Sequence, residues 1–182
     1  EHRERLAKCL QRLRDKNLTL NKSKCQFSKD SVEFFGHRFS AAGVSPATDK
    51  VEGLQNAAPP TCKDEVRSFL GLATYCSRFI PRLATVSEPL RQVTKDSTPW
   101  KWGKKQASAL RQIKDLITEH CTTAYYNPDA RTEVVVDASP VGLCAMLVQH
   151  DNTTGASSLV ALASRSLTDV EQRYSQTERE AL

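Results

Sequence analysis

Carboxylates late in the chain, with cations ahead of them, are the residues whose types and spacing could do chemistry. Residues 119–182 hold nine Asp/Glu against four Lys/Arg, whereas residues 60–118 hold eleven Lys/Arg against five Asp/Glu. Residues 1–30 are also basic, nine against four, and residues 31–59 are nearly balanced, two against three. Basic stretches suit a surface that meets a polyanion, and carboxylates that follow can hold divalent cations; two solvated faces would carry the same charges. Asp137 ends the apolar run Val134-Val135-Val136, where an Asp can face a metal or cap the turn opened by Ala138-Ser139-Pro140. Glu178 and Glu180 stand at the start of an expected helix, and both Ser175-x-x-Glu178 and Thr177-x-x-Glu180 have capping-box spacing. Lys63, Arg67 and Arg78 are four and eleven residues apart, steps that return to roughly one face of a helix.

Cys9, Cys25, Cys62, Cys76, Cys121 and Cys144 form no Cys-x-x-Cys pair, and His2, His37, His120 and His150 form no His-x-x-x-His spacing. A zinc site or a disulfide framework is therefore not expected, and free thiols in a reducing compartment are. The chain has no run of about 18 apolar residues, the length a membrane span needs. Its first residues, Glu1 to Arg5, are charged, so no secretory signal is read there. The expected location is intracellular, in the cytoplasm or inside a virus-like particle.

The elements that must position these residues read as α+β. Residues 1–17 have a helical apolar stripe of Leu6, Leu10 and Leu13. Leu18 to Phe27 and Val32 to Phe39 are short apolar runs divided by the polar turns Asn21-Lys22-Ser23 and Ser28-Lys29-Asp30, with a further turn at Ala41-Ala42-Gly43, all hairpin signals. Pro59-Pro60 marks a boundary, because proline cannot continue a helix and extends the residue before it. Beyond it, Thr61 and Asp64 have the form of a capping box for a helix carrying Val66, Phe69, Leu70, Ala73 and Cys76. Pro81 stops that helix, Ser87 caps a shorter one with Leu90 and Val93, and a third runs from about Lys104 to His120 with Ala107, Leu110, Ile113 and Ile117 aligned. From Arg131 the period becomes that of strands, Glu133 to Asp137, Gly142 to Gln149 and Leu159 to Ser164, a spacing that predicts an antiparallel meander followed by a helix start at Ser175.

Seven blocks, in order, carry a resemblance. They are Leu18-Thr19-Leu20-Asn21 with Lys24-Cys25; Phe34-Phe35-Gly36-His37; Arg67-Ser68-Phe69-Leu70-Gly71-Leu72; Arg78-Phe79-Ile80-Pro81; Val136-Asp137-Ala138-Ser139; Ala163-Ser164-Arg165; and Tyr174 to Glu180. On these the chain resembles the Pol polyprotein of gypsy-type LTR retrotransposons. The resemblance implies the end of a reverse-transcriptase palm with its primer-grip hairpin in residues 1–58 and a small helical thumb in 59–96. It implies the N-terminal half of a ribonuclease H domain, a truncated meander plus a helix start, in 97–182.

The resemblance also implies roles. Phe35, Gly36 and His37 would press the growing primer end toward the polymerase carboxylates, with Gly36 letting backbone approach nucleic acid closely. Lys63, Arg67 and Arg78 would track phosphates of the template-primer duplex without reading sequence. Asp137 and Glu180 would be the first two nuclease carboxylates, catalytic residues that hold two Mg²⁺ ions, with Glu178 competing for the second place. Cys144 stands where the family has Gly or Ala, and Val136 where it often has Thr. The partners implied are RNA/DNA hybrid, template-primer duplex and the rest of the polyprotein, with no membrane. The family's polymerase motif would precede Glu1 and two further nuclease carboxylates would follow Leu182, so neither active site is expected to be complete. A decayed or domesticated copy acting only as a non-specific nucleic-acid binder is the alternative.

Overall fold

A computed structural model describes residues 1–119 and 122–182. The expected helix end at His120 and the Cys121 thiol lie outside the described residues. The backbone divides into two compact units, Glu1–Val32 and Glu33–Leu182. The boundaries expected at 58/59 and 96/97 both fall within the second.

In the first unit, helix α1 (His2–Asp15) buries no residue. Asn17 ends it with a left-handed φ of 54°. The run Leu18 to Phe27 forms no strand. Leu18, Leu20 and Phe27 are exposed, and Asn21 instead caps a 3-10 turn (Lys22–Lys24) by accepting from the Ser23 amide at 3.0 Å. Apolar alternation yields a strand only where a face is available to bury it.

A three-stranded meander follows, β1 (Ser31–Phe34), whose first two residues end the first unit, β2 (His37–Ser40) and β3 (Gly43–Pro46), in that spatial order. Phe35 and Gly36 alone join β1 to β2, with φ of 47° and 70°. Two positive φ values are what a tight hairpin turn demands, and they suit glycine far better than phenylalanine. Helices α2 (Thr48–Gln55), α3 (Lys63–Tyr75), α4 (Leu83–Val86), α5 (Glu88–Thr94) and α6 (Lys104–Glu119) follow. The start of α3 differs from the expected cap: Cys62 is the N-cap, and Thr61 donates from its amide and hydroxyl to Glu65 at 2.6 and 3.0 Å. Asp64 is left to pair with Arg67.

The core of the second unit gathers Leu54, Val66, Phe69, Ala73, Cys76, Phe79, Ile80, Leu90, Val93, Leu110, Ile113 and Ile117. Complete burial of each large side chain contributes about 1.5–3 kcal/mol. The apolar stripe of α6 packs here with α2, α4 and α5, although the sequence reading groups α6 with the strands that follow it. Strands β4 (Arg131–Ala138), β5 (Gly142–His150) and β6 (Ser157–Ser166) form the expected antiparallel meander, with one register shift at Leu147/Val148, and α7 (Gln176–Glu180) follows.

Candidate nuclease site and nucleic-acid interface

Asp137 is the next-to-last residue of β4 and lies opposite Cys144 on β5. The turn that follows is organised by Ser139: its amide donates to the Gly142 carbonyl at 2.9 Å, and its hydroxyl accepts from the amides of Val141 and Gly142 at 3.3 and 3.0 Å. The turn-capping role open to Asp137 in the sequence is thus filled by Ser139. The Asp137 carboxylate meets the Nε of Arg82 at 3.0 Å instead.

Glu178 and Glu180 separate by geometry. Ser175 is the N-cap of α7, accepting from the Glu178 amide while the Glu178 carboxylate takes the Ser175 amide and hydroxyl, both at 2.8 Å. Those bonds hold the Glu178 carboxyl below its ordinary value. Glu180 stands apart from that capping box. Its Oε1 accepts from the Gln176 amide at 2.7 Å, and the same nitrogen donates to the Ala138 carbonyl at 3.1 Å, so one side chain ties the helix to the end of β4. Gln176 was missed in the sequence, although an i, i+4 step puts it on the face of Glu180.

Asp137 and Glu180 line one cavity of about 320 Å³, together with Cys144, Ser164, Arg165 and Arg179. Arg165 grips Glu171 with two bonds of 2.8 and 2.9 Å, which pulls that carboxyl down to about 2. Two carboxylates lining one cavity are the hard oxygen donors that Mg²⁺ prefers, and to that extent these residues fit the ion. Among the described residues no three His, Cys, Asp or Glu cluster as a metal group.

The hairpin residues occupy a second area. Phe35 is 80% exposed at the tip, and Phe34 is exposed beside it. Gly36 faces Tyr75: a Cβ there would lie 1.7 Å from the Tyr75 hydroxyl, so a side chain at this position would have to displace Tyr75 as well as adopt a positive φ. His37 stacks on Tyr75 and meets Phe79 edge-on, with ring centroids 6.0 and 5.7 Å away. Burial and then the Arg78 charge lower its pKa.

The three cations expected on one helical face do not share one. Lys63 donates to the Lys95 carbonyl at 2.7 Å, and Arg67 to the Thr94 carbonyl at 2.9 Å and to Asp64 and Asp96 at 2.8 and 3.0 Å. Both satisfy carbonyls at the end of α5, where cations also suit the helix dipole. Arg78 lies in a 3-10 turn (Ser77–Phe79) beyond the end of α3, so the eleven-residue step does not run along one helix.

Residues 102–182 match the family described as RNase H-like domain found in reverse transcriptase. The transposon Tf2-3 polyprotein of Schizosaccharomyces pombe is 30% identical over 153 residues, 84% of this chain, and the chain spans 12% of that polyprotein. In fold, the foamy viral protease-reverse transcriptase solved in complex with RNA/DNA hybrid superposes with a TM-score of 0.70 at 20% identity, covering 87% of this chain and 21% of its own. A form of it in complex with double-stranded DNA gives 0.67 at 21% identity, over 84% and 26%. The chain belongs to the reverse transcriptase and ribonuclease H part of gypsy-type retrotransposon Pol polyproteins. No described helix is long and apolar enough to cross a membrane.

Proposed function

We propose that this chain is the segment of an RNA-directed DNA polymerase with ribonuclease H activity that joins the two functions. Residues 1–58 end the palm with the primer-grip hairpin, 59–96 form the thumb, and 97–182 supply the N-terminal half of the nuclease. The parent enzyme copies retrotransposon RNA into DNA and degrades the RNA of the resulting hybrid.

The observation that carries this reading is that Asp137 and Glu180 line one cavity, with Glu178 occupied in the helix cap. Asp137 and Glu180 would hold the cations, with Gln176 orienting Glu180 against the strand end. Held there, Mg²⁺ would supply the charge that activates water and stabilises the leaving 3′ oxygen. Two carboxylates are fewer than such a pair of ions needs, so other parts of the polyprotein complete the site. At the hairpin, Phe35 projects toward the primer while Gly36 and His37 are braced by Tyr75.

Two assays on the parent enzyme test this. Asp137→Asn keeps shape and removes charge, so degradation of RNA in a heteroduplex falls by orders of magnitude while extension of a primed template continues. Loss of both activities in a folded protein would make Asp137 a structural residue. Retention of both would remove it from the site.

A further inference from the structure

Arg82 has no assigned role in the sequence and lies on the helical segment, not on the sheet that carries Asp137. Its backbone has a left-handed φ of 52°. A side chain larger than glycine keeps that conformation only where its surroundings over-determine it. The surroundings here are specific. The Arg82 carbonyl accepts from the amides of Thr85 and Val86, both at 3.0 Å. The next residues are fastened to the nuclease sheet: the Ala84 amide donates to the Ser164 hydroxyl at 3.1 Å, and the hydroxyls of Thr85 and Ser139 share a 2.8 Å bond. Gly142 permits this close approach, since a Cβ there would lie 2.9 Å from the Cβ of Ala84. The strained residue is therefore held with its guanidinium against Asp137, Nε to Oδ2 3.0 Å.

We propose that Arg82 is a positioning residue of the nuclease site, a thumb cation that holds the Asp137 carboxylate and competes with the divalent cation for it. This rests on the assignment of Asp137 as a metal-holding residue. Ser139 already organises the turn, so the ion pair is what fixes Asp137 when no cation is bound. A divalent cation that binds the Asp137 carboxylate competes with the Arg82 guanidinium for it, and the residues next to Arg82, Ala84 and Thr85, are tied to the sheet. Cation affinity at the nuclease site and docking of the thumb segment on the sheet then oppose each other, and a thumb shift that withdraws Arg82 frees Asp137. The pair is exposed on both sides, so its effect is modest and sensitive to salt: an exposed pair contributes at most about a fivefold change in an equilibrium constant.

The test is calorimetric titration of Mg²⁺ into the parent enzyme without nucleic acid, comparing wild type, Asp137→Asn, Arg82→Gln and Arg82→Gly. The glycine variant accepts the positive φ and removes the side chain, so it folds even if the glutamine variant does not. Both Arg82 variants are expected to bind Mg²⁺ more tightly, by up to about fivefold, with the gap closing as salt rises. In the Asp137→Asn background neither should change the affinity. If Asp137→Asn leaves the Mg²⁺ isotherm unaltered, the assignment of Asp137 itself fails. If it weakens the isotherm but the folded Arg82 variants bind Mg²⁺ as wild type does, or more weakly, the assignment of Asp137 survives and the competing role of Arg82 is overturned.

Discussion

The hydroxyl of Tyr75 donates a 2.7 Å hydrogen bond to the carbonyl of Phe35, clamping the tip of the β1–β2 hairpin to the last turn of α3. The clamp occupies the space in which a side chain at position 36 would begin. Gly36→Ala should therefore cost about 1–2 kcal/mol for the left-handed backbone and about 0.5–1.5 kcal/mol more for the displaced bond. Tyr75→Phe should cost only the second amount. Urea unfolding of the three proteins measures both losses, and wild-type stability in Gly36→Ala would show that the tip is free of Tyr75.

The same clamp predicts a division of activities. Gly36→Val forces a branched side chain into Tyr75 and disturbs the hairpin, so primer extension by the parent enzyme should fall while RNA degradation persists. Equal loss of both activities would assign the hairpin a general structural role.

His37 links this hairpin to pH. Burial and Arg78 depress its folded pKa below the ordinary 6.5, so below that value the unfolded chain binds a proton more readily than the folded one. The stability it contributes is present above pH 6.5 and is lost as pH falls through that value toward the lowered folded pKa. Denaturant midpoints at about pH 8 and pH 5.5, a window above carboxylate titration, should differ more in wild type than in His37→Phe, which keeps a ring between Tyr75 and Phe79. An equal difference in both would place the titration elsewhere.

Ile113 is fully buried where α6 meets the helical core. Ile113→Ala should cost about 2–5 kcal/mol, through lost transfer energy and the cavity left behind. A loss below about 1 kcal/mol in equilibrium unfolding would mean that α6 does not pack there in solution.

Much of this architecture was legible in the sequence. The β4–β6 meander and α6 follow from period alone, because long runs of one periodicity bury one face. The Phe35-Gly36 turn was not, since phenylalanine at a positive φ is unusual and the polar clusters on either side attract the turn assignment instead. The bonds of Lys63 and Arg67 to α5 carbonyls were not legible either, because a helical projection cannot show acceptors 32 and 27 residues away. Within the candidate site, the places of Asp137 near a strand end and of Glu180 in a short helix were legible in the sequence. The contacts of Arg82 and Gln176 were not, because they exist only once the chain at Arg82 and α7 meet the end of β4.

The most direct measurement is a double-mutant cycle on RNA cleavage by the parent enzyme, using Asp137→Asn, Glu180→Gln and the two combined, with Glu178→Gln alongside. Residues that hold the same ions act as a unit, so either single change should cost nearly as much as both together. Glu178→Gln should weaken only the helix cap and leave most of the cleavage rate. Losses that multiply in the double mutant, or a Glu178→Gln defect as deep as that of Glu180→Gln, would contradict a nuclease site shared by Asp137 and Glu180.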